Sequence, residues 1–393
     1  MKNLPYVLFC LLCFNLCLSQ TSKNINYLFH GEVRLENNIE YISPADDTVN
    51  GLSVVLNINN TDYTFLVDTG ASVSVLNNQT FKNENIVEPK EKIQIKDALG
   101  NEEETDLYYL DFKIGKNQFS YFAFIKSDLS KLFKNNCSKI DGILGANVLK
   151  KLNWKLVKEE NKLIVSEKPF TYEGFYDPVP VTWAGSLPMA EMKVKDKKFL
   201  ALIDTGQFGS FIFPDYIYIN NFGFGTYYNS TKGKGNPVTT INGSQKVKLK
   251  KARLESLSLG NYNFSTYEVM FTPKIIPNIG NEIIVRNGFI FNFLIDEIAL
   301  GKNADGTTGN TIPKIKICKS EKNERKVEVC FFWDEPANKV LKLNDQIIKV
   351  DTINTTNISH SQYCELIDYV QNTKKPIELT VQRGKKQFHY ILN

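Results

Sequence analysis

One four-residue motif occurs twice in this chain, and each copy is followed at nearly the same distance by a second landmark. Val-Asp-Thr-Gly at residues 67–70 recurs as Ile-Asp-Thr-Gly at residues 203–206, so that the two aspartates are 136 positions apart. Ile-Leu-Gly at residues 143–145 and Asn-Ile-Gly at residues 278–280 place a glycine 77 positions after the first aspartate and 76 after the second. Two landmarks with matching spacing indicate an internal duplication of about 135 residues.

Both copies have the sequence pattern of β-strands. Each motif follows an apolar or alternating stretch, at residues 52–66 and 189–202, which is typical of strands that bury one face. Residues 169–181 are rich in Pro and Gly and lack a helical or strand period, which indicates a linker. We therefore expect a mostly β protein with two related, barrel-like lobes, residues 20–168 and 182–312, arranged about a pseudo-two-fold axis.

The pattern changes after about residue 312, where a small α+β module, residues 313–393, is predicted. Ser359 followed three positions later by Gln362 is a capping-box signature, which predicts a helix that begins there and continues through Asn372. Strands are predicted at residues 327–332, 346–350, 377–381 and 388–392.

Residues 1–19 have the layout of a secretory signal peptide. An early lysine precedes an apolar stretch that is too short for a comfortable membrane span, and small and polar residues follow it. We expect export to the periplasm, the cell envelope or the extracellular space, and no transmembrane span in the mature chain. An uncleaved anchor is the alternative, and a lipid anchor at Cys17 is a more remote one. Cys318 and Cys330 could form a disulfide or be small buried apolar residues.

Composition excludes several kinds of chemistry. Lys and Arg number 47 against 43 Asp and Glu, without long basic runs, so the chain lacks the electrostatic character of a nucleic-acid-binding protein. It contains only three histidines, far apart in sequence, which leaves little material for zinc sites or Ser-His-Asp catalysis. Catalysis, if it occurs, is expected to depend on carboxylates.

The duplicated motif predicts a pair of carboxylates. A pseudo-two-fold relation would bring Asp68 and Asp204 face to face, and two carboxylates a few Å apart share one proton over a wide pH range. Such a pair can act as a base toward water and as an acid toward a peptide carbonyl. Neither a metal nor another cofactor is required. Asp141, which precedes Gly142, is interpreted as part of a surface turn rather than as a third catalytic carboxylate.

On these motifs, residues 27–312 resemble the aspartic proteases. The resemblance implies that Asp68 and Asp204 are the catalytic residues, and repeat length is closer to that of retropepsin-like proteins than to the larger lobes of pepsin. It also implies supporting roles for other residues of the two turns. Thr69 and Thr205 would be the interlocking hydroxyls, Gly70 and Gly206 the close backbone contacts, and Ser72 a hydroxyl that follows the first motif. A flap that closes over the substrate would correspond to residues 93–106, around Leu99 and Gly100.

Two departures from the family pattern lie in the second copy. Phe208 stands where the first copy has Ser72, and Asn278 stands at the start of the apolar-apolar-Gly stretch. Either change could shift the proton affinity of the pair or mark a degenerate lobe.

The C-terminal module resembles a PDZ domain through residues 334–348 and the strand and helix that follow, which implies peptide capture by strand addition. Val340 and Asn344 stand where that family usually has glycine. The sequence as a whole predicts an exported, monomeric aspartic endopeptidase acting on a peptide or protein substrate. The alternative is a non-catalytic peptide- or protein-binding protein on a degenerate protease scaffold, with the PDZ-like module supplying the function.

Overall fold

A computed structural model of the 393-residue chain describes residues 26–36, 39–42, 51–82, 91–97, 100–130, 132, 137, 139–215, 217, 230–235, 238–240, 243–245, 248–254, 256–264, 267–273, 275–302, 315–320, 322–334, 341–373 and 375–392. The signal peptide predicted at residues 1–19 lies outside the described residues. No helix among the described residues is long and apolar enough to cross a membrane.

The first part of the chain forms a closed six-stranded β-barrel. This part of the chain contains nine strands: β1 (Glu32–Arg34), β2 (Ile39–Ile42), β3 (Ser53–Ile58), β4 (Thr61–Asp68), β5 (Ser74–Asn77), β6 (Glu91–Lys96), β7 (Glu102–Ile114), β8 (Asn117–Ser127) and β9 (Gly142–Gly145). Strands β1 and β6 pair with barrel strands from outside the ring, and β2 pairs elsewhere. The ring runs β3–β4–β9–β5–β8–β7 and closes by pairing of β7 with β3. Alternating apolar residues turn inward, and Phe65, Phe119 and Phe124 are fully buried there.

The strand pairing of the barrel recurs in the next part of the chain. Its strands are β10 (Asn153–Val157), β11 (Lys162–Ser166), β12 (Val179–Ala184), β13 (Leu187–Val194), β14 (Lys197–Ile203), β15 (Phe211–Pro214), β16 (Thr231–Gly235), β17 (Val238–Thr240), β18 (Gly243–Gln245), β19 (Lys250–Arg253), β20 (Leu257–Leu259), β21 (Tyr262–Asn263), β22 (Glu268–Thr272), β23 (Asn278–Ile279), β24 (Phe289–Asn292) and β25 (Glu297–Leu300). The order β13–β14–β23–β15–β22 matches β3–β4–β9–β5–β8, and β14 pairs in parallel with β23 as β4 does with β9.

Short helices follow the glycine of each apolar-apolar-Gly stretch. Helix α1 (Ala146–Leu149) begins after Gly145, and α2 (Asn281–Asn287) begins after Gly280. Turns of 3-10 helix occur at Asn26–Phe29, Lys158–Glu160 and Phe293–Ile295.

A sheet of strands from both parts joins them. Strand β10 pairs on one side with β11 and on the other with β24, where Trp154 lies opposite Phe291. Strand β11 pairs in turn with β2, and β12 pairs with β25. The last three residues of the predicted linker, 179–181, belong to β12.

The C-terminal part has its own apolar core. It contains β26 (Ile315–Lys319), β27 (Val327–Trp333), β28 (Gln346–Val350), β29 (Ile353–Asn354), α3 (His360–Asn372), β30 (Ile377–Arg383) and β31 (Lys386–Leu392). The predicted capping box is confirmed, because Ser359 and Gln362 exchange hydrogen bonds at the start of α3.

A strand pairing, an ion pair and a disulfide attach this C-terminal part to the remainder of the protein, and a second disulfide lies within it. Strand β27 pairs with β16, and Lys234 of β16 forms an ion pair of 2.8 Å with Asp334. A disulfide joins Cys137 to Cys364 in α3, with 5.3 Å between the Cα atoms. A second disulfide, Cys318 to Cys330, links β26 to β27 and resolves the alternative that the sequence left open.

Candidate active site

The two Asp-Thr-Gly turns meet at the ends of equivalent strands. Asp68 ends β4, and Asp204 directly follows β14. The Thr69 hydroxyl accepts from the Thr205 N–H at 3.0 Å and donates to the Ile203 carbonyl at 2.5 Å. The Thr205 hydroxyl accepts from the Thr69 N–H at 3.0 Å and donates to the Val67 carbonyl at 2.7 Å. Because both threonines are fully buried, this reciprocal set of bonds holds the two turns in one fixed arrangement.

The carboxyl groups of Asp68 and Asp204 face one another beside these reciprocal threonine hydrogen bonds, which we call the threonine lock. A side-chain hydrogen bond joins them. A methyl group added to Gly70 would overlap the carboxyl of Asp204, and one added to Gly206 would overlap that of Asp68. Glycine is therefore needed at both positions because each backbone packs directly against the opposite aspartate.

Each aspartate also accepts backbone hydrogen bonds from its own turn. Asp68 Oδ1 accepts from the N–H groups of Gly70 at 2.8 Å and Ala71 at 3.0 Å. Asp204 Oδ1 accepts from those of Gly206 and Gln207, both at 2.9 Å. These donors orient the carboxyl groups and favour their ionised forms.

Burial makes it costly for both carboxyl groups of this pair to be ionised at the same time. Burial raises the pKa of Asp68 well above its usual value, and the charge of Asp204 and the hydrogen bond to it add to the effect. Burial also raises the pKa of Asp204, but donated hydrogen bonds, first from Asn278, oppose the rise. A protonated and an ionised carboxyl group side by side can donate a proton and accept one in the same reaction.

Asn278, one of the two departures that could shift the proton affinity of the pair, contacts the pair directly, a contact that the sequence alone did not specify. Its Nδ2 donates to Asp204 Oδ2 at 2.6 Å. The only sequence signal was a polar residue at an otherwise apolar position of the repeat. The position of Phe208 is less informative, since its side chain is 38% exposed and takes no part in the hydrogen bonds described for Asp204.

Ser72 is placed beside the first turn, but its described contact is through the backbone. Its carbonyl accepts from the Ser186 hydroxyl at 2.9 Å. Among the described residues, the hydrogen bonds to Asp68 come from backbone N–H groups and from Asp204, so a supporting role of the Ser72 hydroxyl stays a prediction.

A polar network beneath the first turn was missed by sequence reasoning. The Asn147 side-chain oxygen accepts from both the N–H and the hydroxyl of Ser74, each at 2.9 Å, and its Nδ2 donates to the Ala123 carbonyl. The Ser74 hydroxyl in turn accepts from the Gly145 N–H. All of these side chains are buried, so the network fixes β9 and α1 below the turn that carries Asp68.

The interpretation of Asp141 as a surface-turn residue is wrong. Its side chain is buried, with 3% of the residue exposed. Its carboxylate accepts from the Thr64 N–H and the Thr80 hydroxyl, each at 3.0 Å, because these groups are brought to it by tertiary contacts. Asp141 is a structural carboxylate that ties β4 to the segment before β9.

The predicted flap region forms a β-hairpin. Strands β6 and β7 pair from Glu91 opposite Leu107 to Lys96 opposite Glu102. Gly100 lies in the turn with a positive φ of 84°, and its N–H donates to the Asp97 carbonyl. Leu99 lies outside the described residues. Closure of this hairpin over a substrate stays a prediction.

Part of the first barrel matches a known protein family. No curated protein matches the chain. The family model described as gag-polyprotein putative aspartyl protease matches residues 54–151, about a quarter of the chain, from β3 to just beyond α1. The first barrel, with the turn that carries Asp68, is therefore similar to that family of aspartyl proteases.

Proposed function

We propose that this protein is an exported, bilobal aspartic endopeptidase whose two catalytic carboxyl groups, Asp68 and Asp204, come from one chain. The observation that carries the proposal is the reciprocal geometry of the two turns, in which each glycine packs on the opposite aspartate and each threonine bonds the opposite backbone. The similarity of residues 54–151 to an aspartyl protease family supports the same chemistry for the first turn.

The chemistry follows from the shared proton. The ionised carboxylate takes a proton from a water molecule held between the two groups, and the water oxygen attacks the peptide carbonyl. The protonated carboxyl donates its proton to the carbonyl oxygen, which stabilises the tetrahedral intermediate. The carboxyl group that took the water proton then donates it to the amide nitrogen, while the other carboxylate takes a proton from a hydroxyl of the intermediate. The C–N bond breaks to give a carboxylic acid and an amine, and the pair is again singly protonated in its starting arrangement.

One chain supplies both halves of this site, so we propose that the active form is a monomer. The sheet of β10, β11 and β24 joins the two parts that carry the aspartates, which supports an intramolecular pair. The hairpin of β6 and β7 is proposed as the flap, and the C-terminal part as a PDZ-like module that captures peptide.

The direct test is cleavage of a diverse peptide library between pH 3 and pH 8, with products identified by mass spectrometry. Asp68→Asn and Asp204→Asn are each expected to lower cleavage by about 10²- to 10⁴-fold. Asp141→Asn is the matched control, since it changes a buried carboxylate whose described contacts lie outside the pair and should retain cleavage. If the wild type cleaves nothing while still binding peptides, the non-catalytic alternative replaces this proposal.

A further inference from the structure

The two halves of the proposed site differ at one buried strand position. Strand pairing places Ile143 opposite Leu66 in the first part and Asn278 opposite Leu202 in the second, so Ile143 and Asn278 occupy equivalent positions. Ile143 packs into an apolar cluster. Asn278 is also buried, with 6% exposed, but its amide is directed at the neighbouring aspartate.

This difference gives the two carboxyl groups unequal hydrogen bonds. Apart from the hydrogen bond that the two carboxyl groups share, Asp204 accepts two backbone N–H groups at Oδ1 and the Asn278 amide at Oδ2, whereas Asp68 accepts, among the described residues, the two backbone N–H groups of its own turn. An ionised carboxylate can only accept hydrogen bonds, so an additional donor favours the negative charge at the carboxyl group that it contacts.

The Asn278 amide has no competing partner in the described part of the chain. Its Oδ1 is buried there without a hydrogen-bond partner, so the bond from Nδ2 to Asp204 is the contact that orients it. A buried amide held by one bond is costly to maintain in an apolar position, and the charge of Asp204 provides the compensating interaction.

We propose that Asn278 is a positioning residue that localises the shared negative charge on Asp204, which makes Asp204 the base toward water and Asp68 the acid toward the carbonyl. This inference rests on the proposed function. Asn278 acts through Asp204. Because only the second turn has this amide donor, the two aspartates take different roles although their turns are duplicates.

Few titratable or charged groups among the described residues lie near Asp204, so the hydrogen bond from Asn278 is the interaction with the Asp204 carboxyl group that a single substitution can remove. From the first turn, Asp68 is the titratable group that faces Asp204. From helix α2, Glu282 is engaged in an ion pair with Arg286 at 3.7 Å. Strand β23 contributes Asn278 itself and the apolar Ile279.

The test is the pH profile of kcat/KM in Asn278→Ala and Asn278→Ile. Loss of the donor raises the pKa of Asp204, so the acidic limb of the kcat/KM profile is expected to move to higher pH by about one to two units. At a pH on the acidic side of that limb, kcat/KM should fall about tenfold or more. The alanine side chain is smaller than that of asparagine, so Asn278→Ala still tests the loss of the donor if Asn278→Ile folds poorly. Asn292→Ala is the matched control, because it removes a buried amide of the same part, bonded to Phe170 and Tyr172, and should leave the limb unmoved.

A second measurement separates failure of this inference from failure of the proposed function. Carboxyl titration by ¹³C NMR of aspartate-labelled protein, assigned with Asp204→Asn, reports the charge on Asp204 without any substrate. The inference predicts an upward shift of that titration in both Asn278 variants. An active wild type whose acidic limb and Asp204 titration are the same in both variants would overturn the inference alone. An inactive wild type with the predicted titration shift would overturn the protease proposal and retain the role of Asn278 at the carboxyl pair.

Discussion

Replacing Thr205 by valine tests the threonine lock, the reciprocal hydrogen bonds of Thr69 and Thr205 that hold the two aspartate turns together. The hydroxyl of Thr205 accepts from the Thr69 N–H at 3.0 Å and donates to the Val67 carbonyl at 2.7 Å. Valine has nearly the same shape without the hydroxyl, so two backbone groups would lose these partners while staying buried. At about 1–3 kcal/mol for each of these two groups, we expect the free energy of unfolding to fall by about 2–6 kcal/mol.

Thr272→Val is the matched control for this substitution. Thr272 lies in β22 of the same part and is 1% exposed, but its hydroxyl has no hydrogen-bond partner among the described residues. Removal of an unsatisfied buried hydroxyl breaks no bond, so this variant should be neutral or more stable by up to about 1 kcal/mol.

The assay is urea unfolding followed by both tryptophan fluorescence and circular dichroism, because the parts of a chain this long can unfold in separate transitions. The expected result is a lower midpoint with an unchanged slope for Thr205→Val, and an unchanged or higher midpoint for Thr272→Val. Peptide cleavage should fall only in the former. If the two substitutions had equal effects, the loss would reflect the change of side chain and not the hydrogen bonds of Thr205 to the Thr69 N–H and the Val67 carbonyl.

Gly206→Ala is expected to abolish cleavage, since its methyl group would overlap the carboxyl of Asp68, and circular dichroism should show that the fold is retained. The raised pKa of Asp68 means that the folded state binds this proton more tightly than the unfolded state, so this group's contribution to stability is complete at low pH and is lost as the pH rises through the folded-state pKa. Asp68→Asn should therefore lose less stability than the wild type between pH 4 and pH 8 in urea titrations, and an equal loss would contradict this sign. Arg383→Met leaves the buried Asp345 carboxylate without its two guanidinium bonds and should lower the midpoint of thermal unfolding clearly. Lys92→Met, in an exposed ion pair, should leave that midpoint nearly unchanged, and thermal unfolding of both variants checks the difference.

The features that could be predicted from the sequence are those that are encoded locally. The repeated Asp-Thr-Gly motif specifies a strand that ends in a tight turn, and the structure has Asp68 and Asp204 at such strand ends. The capping box at Ser359 predicted the start of α3 because its hydrogen bonds span only three residues.

The features that could not be predicted depend on residues that are distant in sequence. Asn278 contacts a carboxylate 74 residues away, and the direction of its amide is set by strand pairing and burial, not by its neighbours in the chain. Asp141 is buried because Thr64 and Thr80 supply donors across tertiary contacts. The Cys137–Cys364 disulfide spans 227 residues, and nothing in the local sequence specifies that pairing.

Whether one chain builds the proposed catalytic pair is tested by the activity of Asp68→Asn, Asp204→Asn and an equimolar mixture of the two on one fluorogenic peptide. We expect a loss of about 10²- to 10⁴-fold in kcat/KM for each variant and no recovery in the mixture, because each molecule carries both turns of its own site. Wild-type activity in either variant would contradict the role of that carboxyl group. Recovery of activity in the mixture would show instead that the pair is assembled from two chains.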